Sequence, residues 1–124
     1  MKAYQSVFKT VSMIWDVNID GGGVGVYDAG ISIPMNCQGV STFYRILSTV
    51  NGVPASTFGL ATTNNGVPDI FNTFGALFNT GDNIANGACK LVTTTDIYLY
   101  FVIANQPFTR GKILIGVNYI ETRQ

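Results

Sequence analysis

Hydrophobic and polar residues alternate along most of this chain with a period of two. Between residues 7 and 19 the apolar odd positions are Val7, Val11, Met13, Trp15, Val17 and Ile19. Their even neighbours are mostly polar, with Phe8 and Ile14 as apolar exceptions. This pattern predicts a half-buried strand, or two strands joined at a bend. Asp20 and the glycines at 21–23 then predict a turn, because glycine tolerates any turn geometry and packs no side chain.

Further segments have strand character, and most are followed by residues that favour turns. They span residues 24–33, 40–50, 55–62, 90–95, 96–104 and 112–122, with Pro34, Asn51-Gly52, Asn64-Asn65-Gly66 and Asn105-Gln106-Pro107 among the turns. Six to eight short strands of this kind predict an all-β fold, an antiparallel β-sandwich that is jelly-roll-like. We expect residues 1–25 to form an N-terminal strand or arm with a Gly-rich turn. Residues 26–124 would form the sandwich core, and the two parts together make one domain.

One segment departs from the period of two. Its apolar residues, Ile70, Phe71, Phe74, Leu77 and Phe78, have the spacing of one helix face. Asp69 is suited to cap the start of a helix there, and Gly81 lies just beyond its end. Gly75 opposes a helix by about 1 kcal/mol relative to alanine. The pattern therefore predicts either a short helix or a packed irregular loop near residues 69–78, and both alternatives stay open.

The low content of charged residues indicates a domain that contacts other protein molecules rather than an ordinary monomeric domain. Charged residues are 11% of the chain and hydrophobic residues 47%, against about 25% charged in an ordinary soluble domain. Asn, Thr, Ser and Gly must then cover much of the surface, which predicts a permanent oligomer or an assembly subunit. The alternative is a monomer with a Thr- and Asn-rich surface.

Several classes of partner have no support in the sequence. The net charge is zero and the seven basic residues are scattered, so we expect no nucleic-acid binding. The longest apolar run, residues 97–104, is far shorter than the ~20 residues of a membrane-spanning helix, so we expect no membrane partner. Residues 1–10 do not resemble the apolar region of a signal peptide. We therefore expect Cys37 and Cys89 to be reduced and buried.

The residues needed for most enzyme chemistry are also missing. The chain contains no histidine, which removes Ser-His and Cys-His nucleophile pairs and most catalytic zinc sites. A carboxylate pair would be the remaining route to hydrolysis. However, Asp20, Asp69, Asp82 and Asp96 lie at predicted turns or strand starts, where aspartate has a structural task. We expect no enzyme activity, no catalytic residue, no cofactor and no metal site.

Aromatic residues are the best candidates for contacts with other proteins. Tyr98 and Tyr100 share one face of the most apolar strand, which makes them good interface anchors. The full set of candidate interface residues is Trp15, Tyr98, Tyr100, Phe71, Phe74 and Phe78. The alternative function is a receptor- or glycan-binding module of a fibre or adhesin, which would need an exposed aromatic platform built from residues such as Trp15, Tyr44 or Phe78.

Three stretches resemble one family. Residues 26–34 (VYDAGISIP) resemble an opening segment of small tailed-bacteriophage virion proteins, in which a strand leads to an Ile-Pro step. Residues 108–120 (FTRGKILIGVNYI) resemble the closing hairpin of these proteins, and residues 94–99 (TTDIYL) resemble the strand before it. Residues 1–25 and the aromatic, Asn-rich residues 71–86 are not covered by the resemblance.

The resemblance implies a β-sandwich on the capsid exterior, acting as a head decoration (auxiliary capsid) protein or a fibre component. Its partners would be its own copies, as a homo-oligomer for which a trimer is one option, and a major capsid or other virion protein. The protein would be made in the host cytoplasm and located in the virion. Contacts particular to this chain would then lie in the two uncovered regions.

Overall fold

The computed structural model describes residues 5–52, 56–72, 77–78, 83–88 and 92–123. Within them the chain forms strands and one short helix. The elements are β1 (Gln5–Asp16), α1 (Val17–Asp20), β2 (Gly25–Ile33), β3 (Cys37–Gly52), β4 (Thr57–Ala61), β5 (Phe71–Asn72), β6 (Leu77–Phe78), β7 (Asn83–Ala88), β8 (Ile97–Ala104) and β9 (Phe108–Arg123).

The strands form two antiparallel sheets. Sheet A has the order β1-β9-β3-β6, and β7 also pairs with β3; sheet B has the order β2-β8-β4-β5. The first four strands alternate between the sheets along the chain, so the sheets are built together rather than one after the other. This architecture confirms the prediction of an all-β antiparallel sandwich.

The core between the sheets is a connected group of aromatic rings. The Trp15 ring from sheet A stacks on the Phe101 ring of sheet B with centroids 4.5 Å apart. Phe101 in turn stacks on Phe58 at 5.8 Å, and Phe58 meets the edge of Tyr44 at 5.3 Å and the ring of Phe108 at 6.0 Å. Rings from both sheets therefore interlock, and the buried aliphatic residues of β8 and β9 fill the space around them.

The first strand ends earlier than the alternation predicts. β1 stops at Asp16, and residues 17–20 form α1 instead of continuing the strand. The Asp16 carboxylate caps this helix by accepting from the backbone N–H of Asn18 at 3.0 Å, and the Asp20 carboxylate accepts from the backbone N–H of Asp16 at 2.8 Å. These two bonds stabilise a turn of helix where the apolar pattern alone favours a strand.

The glycine-rich segment packs against its own sandwich instead of projecting as an arm. The backbone N–H of Phe108 donates to the Gly22 carbonyl at 2.8 Å, and the Trp15 indole N–H donates to the Gly21 carbonyl at 2.8 Å. A Cβ atom on Gly22 would collide with the carbonyl oxygen of Phe108. Glycine is needed at this position because the backbones of the turn and of β9 approach so closely.

The described part of residues 69–78 is not helical. Asp69 and Ile70 lie in a bend, and β5 and β6 are strands of two residues each. The Asp69 carboxylate accepts from the backbone N–H of Thr62 at 2.8 Å and from its hydroxyl, so it closes the loop after β4 and does not cap a helix. Residues 73–76, which include Phe74, lie outside the described residues.

Candidate interaction surfaces

The outer face of sheet A is exposed and mostly uncharged. We define it as the outward side chains of three neighbouring strands: Phe8, Thr10, Ser12 and Ile14 on β1; Ile120, Asn118, Gly116 and Leu114 on β9; Gln38, Ser41, Phe43 and Arg45 on β3. Phe8 is 69% exposed and Ile14 57%. Large exposed apolar side chains that share one face of a sheet are typical of protein interfaces.

Cross-strand contacts hold the middle of this face rigid. The Thr10 hydroxyl donates to the Asn118 amide oxygen at 2.7 Å, and the Asn118 amide nitrogen donates to the Ser41 hydroxyl at 3.0 Å. Next to this row the Phe43 ring lies over Gly116, where a Cβ atom would stand 2.6 Å from the ring. The glycine therefore makes room both for this ring and for the Val11 carbonyl oxygen, which would lie 2.5 Å from the same Cβ atom. The outer face of sheet A is thus pre-organised.

Two tyrosines form a second exposed surface on sheet B. Tyr98 and Tyr100 alternate along β8 with the buried residues Leu99 and Phe101, so both tyrosines point away from the core. Tyr98 is 63% exposed and Tyr100 is half-buried. A tyrosine offers a large apolar ring and a hydroxyl at little entropic cost, which suits it to anchor an interface.

The other candidate residues occupy different environments. Trp15 is 5% exposed and lies in the core, so its indole is not offered to a partner. Tyr44 is 3% exposed beside Phe58, and an exposed glycan platform built from Trp15 and Tyr44 is therefore wrong. Phe71 lies in β5 and Phe78 in β6. The structure brings together Tyr98 and Tyr100 but leaves Trp15 on the opposite side of β8.

Sequence reasoning missed the outer face of sheet A as a candidate surface. The signal was present in Phe8 and Ile14, the two residues that interrupt the polar positions of β1. Phe43, Leu114 and Ile120 gave no such signal, because strands covered on both sides carry the same residues. Only the pairing of β1, β9 and β3 shows that these five side chains share one exposed face.

Five of the aspartates have structural partners. Asp16 and Asp20 hold α1, and Asp69 closes the loop after β4. Asp28 accepts from the backbone N–H of Gly30 at 2.8 Å, and Asp96 accepts from that of Met35 at 3.0 Å. Aspartate side chains commonly accept hydrogen bonds from backbone N–H groups in turns, and these five carboxylates do so. Asp82 lies outside the described residues.

A cleft of about 260 Å³ lies at the end of sheet A beside α1. It is lined by Asp16, Asn18, Ser48, Thr49, Arg110, Gly111 and Lys112. Lys112 Nζ lies 3.8 Å from a carboxylate oxygen of Asp16. The Asn51 amide oxygen, when it is turned toward Arg110, accepts two hydrogen bonds from the guanidinium group. One comes from Nε at 2.8 Å and the other from a terminal nitrogen at 3.0 Å. The charges around the cleft are therefore engaged by groups of the same chain.

Cys37 and Tyr119 are buried at the opposite end of the sandwich. Burial raises the pKa of the Cys37 thiol above its usual value of 9.0, and the nearby Glu121 carboxylate raises it further. Burial likewise raises the pKa of the Tyr119 phenol above 10.0. The Lys9–Glu121 ion pair, 2.9 Å long, closes this end of the sandwich. Both groups stay protonated and neutral in the folded protein at neutral pH.

Alkaline pH is expected to destabilise the protein through these two groups. Since their folded-state pKa values are raised, their contribution to stability is complete below the unfolded values and is lost as pH rises above about 9. We expect the urea midpoint to fall between about pH 8 and about pH 10.5 under reducing conditions. The Tyr119→Phe variant should lose less over the same interval. An equal loss in both proteins would contradict the assignment of Tyr119.

The described residues contain neither a cluster of metal-binding side chains nor a membrane-spanning helix. Within residues 5–52, 56–72, 77–78, 83–88 and 92–123, no three or more Cys, Asp and Glu side chains converge in a way that could hold a metal ion. In the same part of the chain no helix has the length and apolar character needed to cross a membrane.

Comparisons with known proteins reveal a shared fold and no sequence relative. No protein-family model matches the chain, and no curated protein matches it in sequence. Among solved structures, a chain from the acidic stable capsid of Helicobacter pylori bacteriophage KHP30 superposes with a TM-score of 0.60 at 11% identity, covering 98% of this chain and 99% of that one.

Two further phage capsids contain similar chains. A chain of the cyanophage Pam1 capsid gives a TM-score of 0.52 at 14% identity, covering 95% of this chain and 84% of that one. A chain of the capsid of Ralstonia phage GP4 gives 0.52 at 14% identity, covering 91% and 84%. This protein therefore has the fold of chains found in the capsids of three bacteriophages.

Proposed function

We propose that this protein is a structural protein of a bacteriophage virion, and that it decorates the capsid exterior as an oligomer bound to the capsid lattice. The observation that carries the proposal is the fold match over almost the whole chain to chains of three phage capsids. The KHP30 chain is covered over 99% of its length, so the two chains are nearly equal in size. The match thus concerns a small capsid chain as a whole.

The chemistry of the chain supports the same proposal. Binding to a lattice needs buried area and shape complementarity rather than reactive groups. Two pre-formed exposed surfaces, the outer face of sheet A and the Tyr98–Tyr100 pair, are available for such binding. The five structurally engaged aspartates and the absence of histidine from the sequence support a protein that is not an enzyme. The subunits would be made in the host cytoplasm and join the particle from outside.

Mass spectrometry of purified particles of the phage that encodes this chain tests the proposal. We expect the protein in the particles at a copy number comparable to that of the lattice, and labelling of its lysines in intact, DNA-filled particles by a reagent that does not enter them. Absence of the protein from particles, or labelling only after the particles are opened, would overturn the exterior role.

We propose that Tyr98 and Tyr100 contact the lattice. Truncation of a central aromatic anchor costs binding energy. We therefore expect Tyr98→Ala to weaken binding by about 10-fold or more, measured with capsids that lack the protein. Co-sedimentation of purified protein with such capsids measures the change. Val67→Ala removes a side chain of similar exposure, 58%, from the loop after β4 and serves as the matched control. Equal affinity of the two variants would contradict this assignment.

A further inference from the structure

We infer that strand β1 pairs edge to edge with β1 of a second copy of this chain, in antiparallel orientation across a twofold axis. The two copies of sheet A then form one continuous sheet. The axis is perpendicular to this sheet and passes beside Val11. The contact rests on the proposed function for its setting, an assembling virion protein, and on the geometry of β1 for everything else.

Strand β1 lies at the edge of sheet A. Among the described strands it has a neighbour, β9, on one side only. Its pairing with β9 runs from Gln5 to Asp16 without a register shift. Alternate residues of an antiparallel strand direct their backbone N–H and C=O groups to opposite sides. Every second residue of β1 therefore directs these groups toward the open edge.

Two contacts show that the even-numbered residues of β1 face the open edge. The Val11 carbonyl oxygen would lie 2.5 Å from a Cβ atom on Gly116, so this carbonyl points toward β9. The backbone N–H of Asp16 donates to the Asp20 carboxylate, and not to β9. Within the described part of the chain, no group bonds to the edge-facing N–H and C=O of Phe8, Thr10, Ser12 and Ile14.

The edge strand of sheet B differs from β1 in its protection against pairing. The register of β2 shifts between Asp28 and Ser32, Gly30 has a φ of +73°, and Asp28 is exposed. Bulges and charges of this kind blunt a sheet edge. β1 contains no bulge, proline or glycine, and its one lysine, Lys9, is paired with Glu121. A long edge without protection is a template for another strand.

The sequence of β1 is complementary to itself in one register. Edge-facing residues must pair with edge-facing residues, so the axis passes beside a residue and not between two. With the axis at Val11, Phe8 of one copy is opposite Ile14 of the other, and Thr10 is opposite Ser12, each twice. Moving the axis by one residue in either direction places an apolar residue opposite a serine or threonine. The Val11 register pairs like with like, as stable cross-strand pairs do.

This register also gives partners to groups that lack them in the single chain. The four pairs of edge-facing residues form about eight backbone hydrogen bonds between the copies. Phe8 and Ile14, which are 69% and 57% exposed, lie side by side across the junction. Val11, half-buried at the margin of the core, contacts Val11 of the other copy. The outer face of sheet A stays open in this dimer.

The charged residues of β1 fit the same register. Lys9 keeps its ion pair with Glu121 and is opposite Met13 of the other copy. Asp16 lies 3.8 Å from Lys112 of its own chain and is opposite an uncharged serine. No like charges on the two β1 strands therefore meet, whereas an axis at Lys9 would place two lysines against each other.

Sedimentation equilibrium of the purified full chain tests the inference without any capsid. We expect a reversible wild-type dimer at ~100 μM, and Ser12→Pro should weaken association by about 100-fold or more. Proline removes an edge-facing N–H and places its ring in the edge, but it removes no bond to β9. Ser12→Ala keeps the N–H and is the matched control. A monomeric or trimeric wild type, or equal association of the two variants, would overturn the inference.

A charge exchange tests the register, and it does so without proline. Phe8→Lys should weaken the dimer by about 10-fold, because it removes an apolar cross-strand pair twice. Adding Ile14→Glu should restore association, since each lysine then faces a glutamate of the other copy. Positions 8 and 14 lie ~20 Å apart on one strand, so they do not pair within a chain. Val67→Lys, at an exposed position in the loop after β4, is the control that should associate normally. A double variant no better than Phe8→Lys would contradict the Val11 register.

The same variants separate this inference from the proposed function. If the protein is in the particle but purified protein is monomeric, the proposed function stands and the inference fails. If Ser12→Pro abolishes capsid binding and the wild type does not self-associate, a strand of the lattice occupies this edge and the inference fails. If the dimer forms as expected and the protein is absent from particles, the proposed function fails while the edge contact stands.

Discussion

Phe58→Ala should lower the free energy of unfolding by about 3–5 kcal/mol, the largest single-residue effect that we expect. The Phe58 ring is fully buried and lies at the centre of the aromatic core, against Phe101 at 5.8 Å, Tyr44 at 5.3 Å and Phe108 at 6.0 Å. Its loss removes the transfer free energy of the ring and leaves a cavity between sheets that cannot collapse without moving the strands.

Urea denaturation followed by tryptophan fluorescence measures this effect, since Trp15 stacks on Phe101, which contacts Phe58. All proteins should be compared at one concentration, because self-association adds a concentration-dependent term to stability. Val67→Ala, in an exposed loop, should change stability by no more than about 0.5 kcal/mol. A loss below about 1 kcal/mol in Phe58→Ala would mean that the ring does not fill the space between the sheets as described.

Gly111→Ala should be the second most damaging change. Gly111 has a φ of +130°, and a Cβ atom there would stand 2.5 Å from Val50 Cγ2 and 2.7 Å from Val50 Cα. The first effect is backbone strain, of order 1–3 kcal/mol, and the second is overpacking against a neighbouring strand, typically 1–3 kcal/mol more. We expect a total loss of about 2–6 kcal/mol.

Gly30→Ala separates the two causes. Gly30 also has a positive φ, +73°, but no atom lies within 4 Å of the position that a Cβ atom would take. This variant should therefore show only the backbone term, about 1–2 kcal/mol. Urea denaturation of both variants gives the difference. If Gly30→Ala loses as much as Gly111→Ala, then the contact with Val50 contributes nothing, contrary to the geometry of β3 and β9.

The predictions made from the sequence agree best with the structure for strands that have one side in solvent and the other in the core. β1 follows the predicted alternation as far as Asp16, β2 lies within the strand predicted at residues 24–33, and β8 covers residues 97–104 of the strand predicted at residues 96–104. The boundaries differ where hydrogen bonds outweigh the pattern. α1 exists because Asp16 and Asp20 satisfy backbone donors, and β9 begins at Phe108 because its backbone N–H bonds to Gly22, far away in the chain.

The candidate surfaces were only partly predictable. Tyr98 and Tyr100 could be placed on one face because residues two apart in a strand share a side. Trp15 could not be assigned to core or surface in the same way, since β1 carries apolar residues on both sides. Its burial depends on Phe101, 86 positions later in the chain, which comes from the other sheet and stacks on its ring.

The sequence by itself determined the class of the fold and the lack of residues that most enzyme reactions need. A period of two and frequent turn residues are local properties that only strands satisfy, and a chain without histidine lacks that base in any fold. The tertiary structure decided which strands become neighbours. Antiparallel pairing of β1, β9 and β3 unites residues more than 100 positions apart, such as Thr10 and Asn118, on one exposed face. Strand register is set by contacts between distant segments. The outer face of sheet A could therefore be identified only from the tertiary structure.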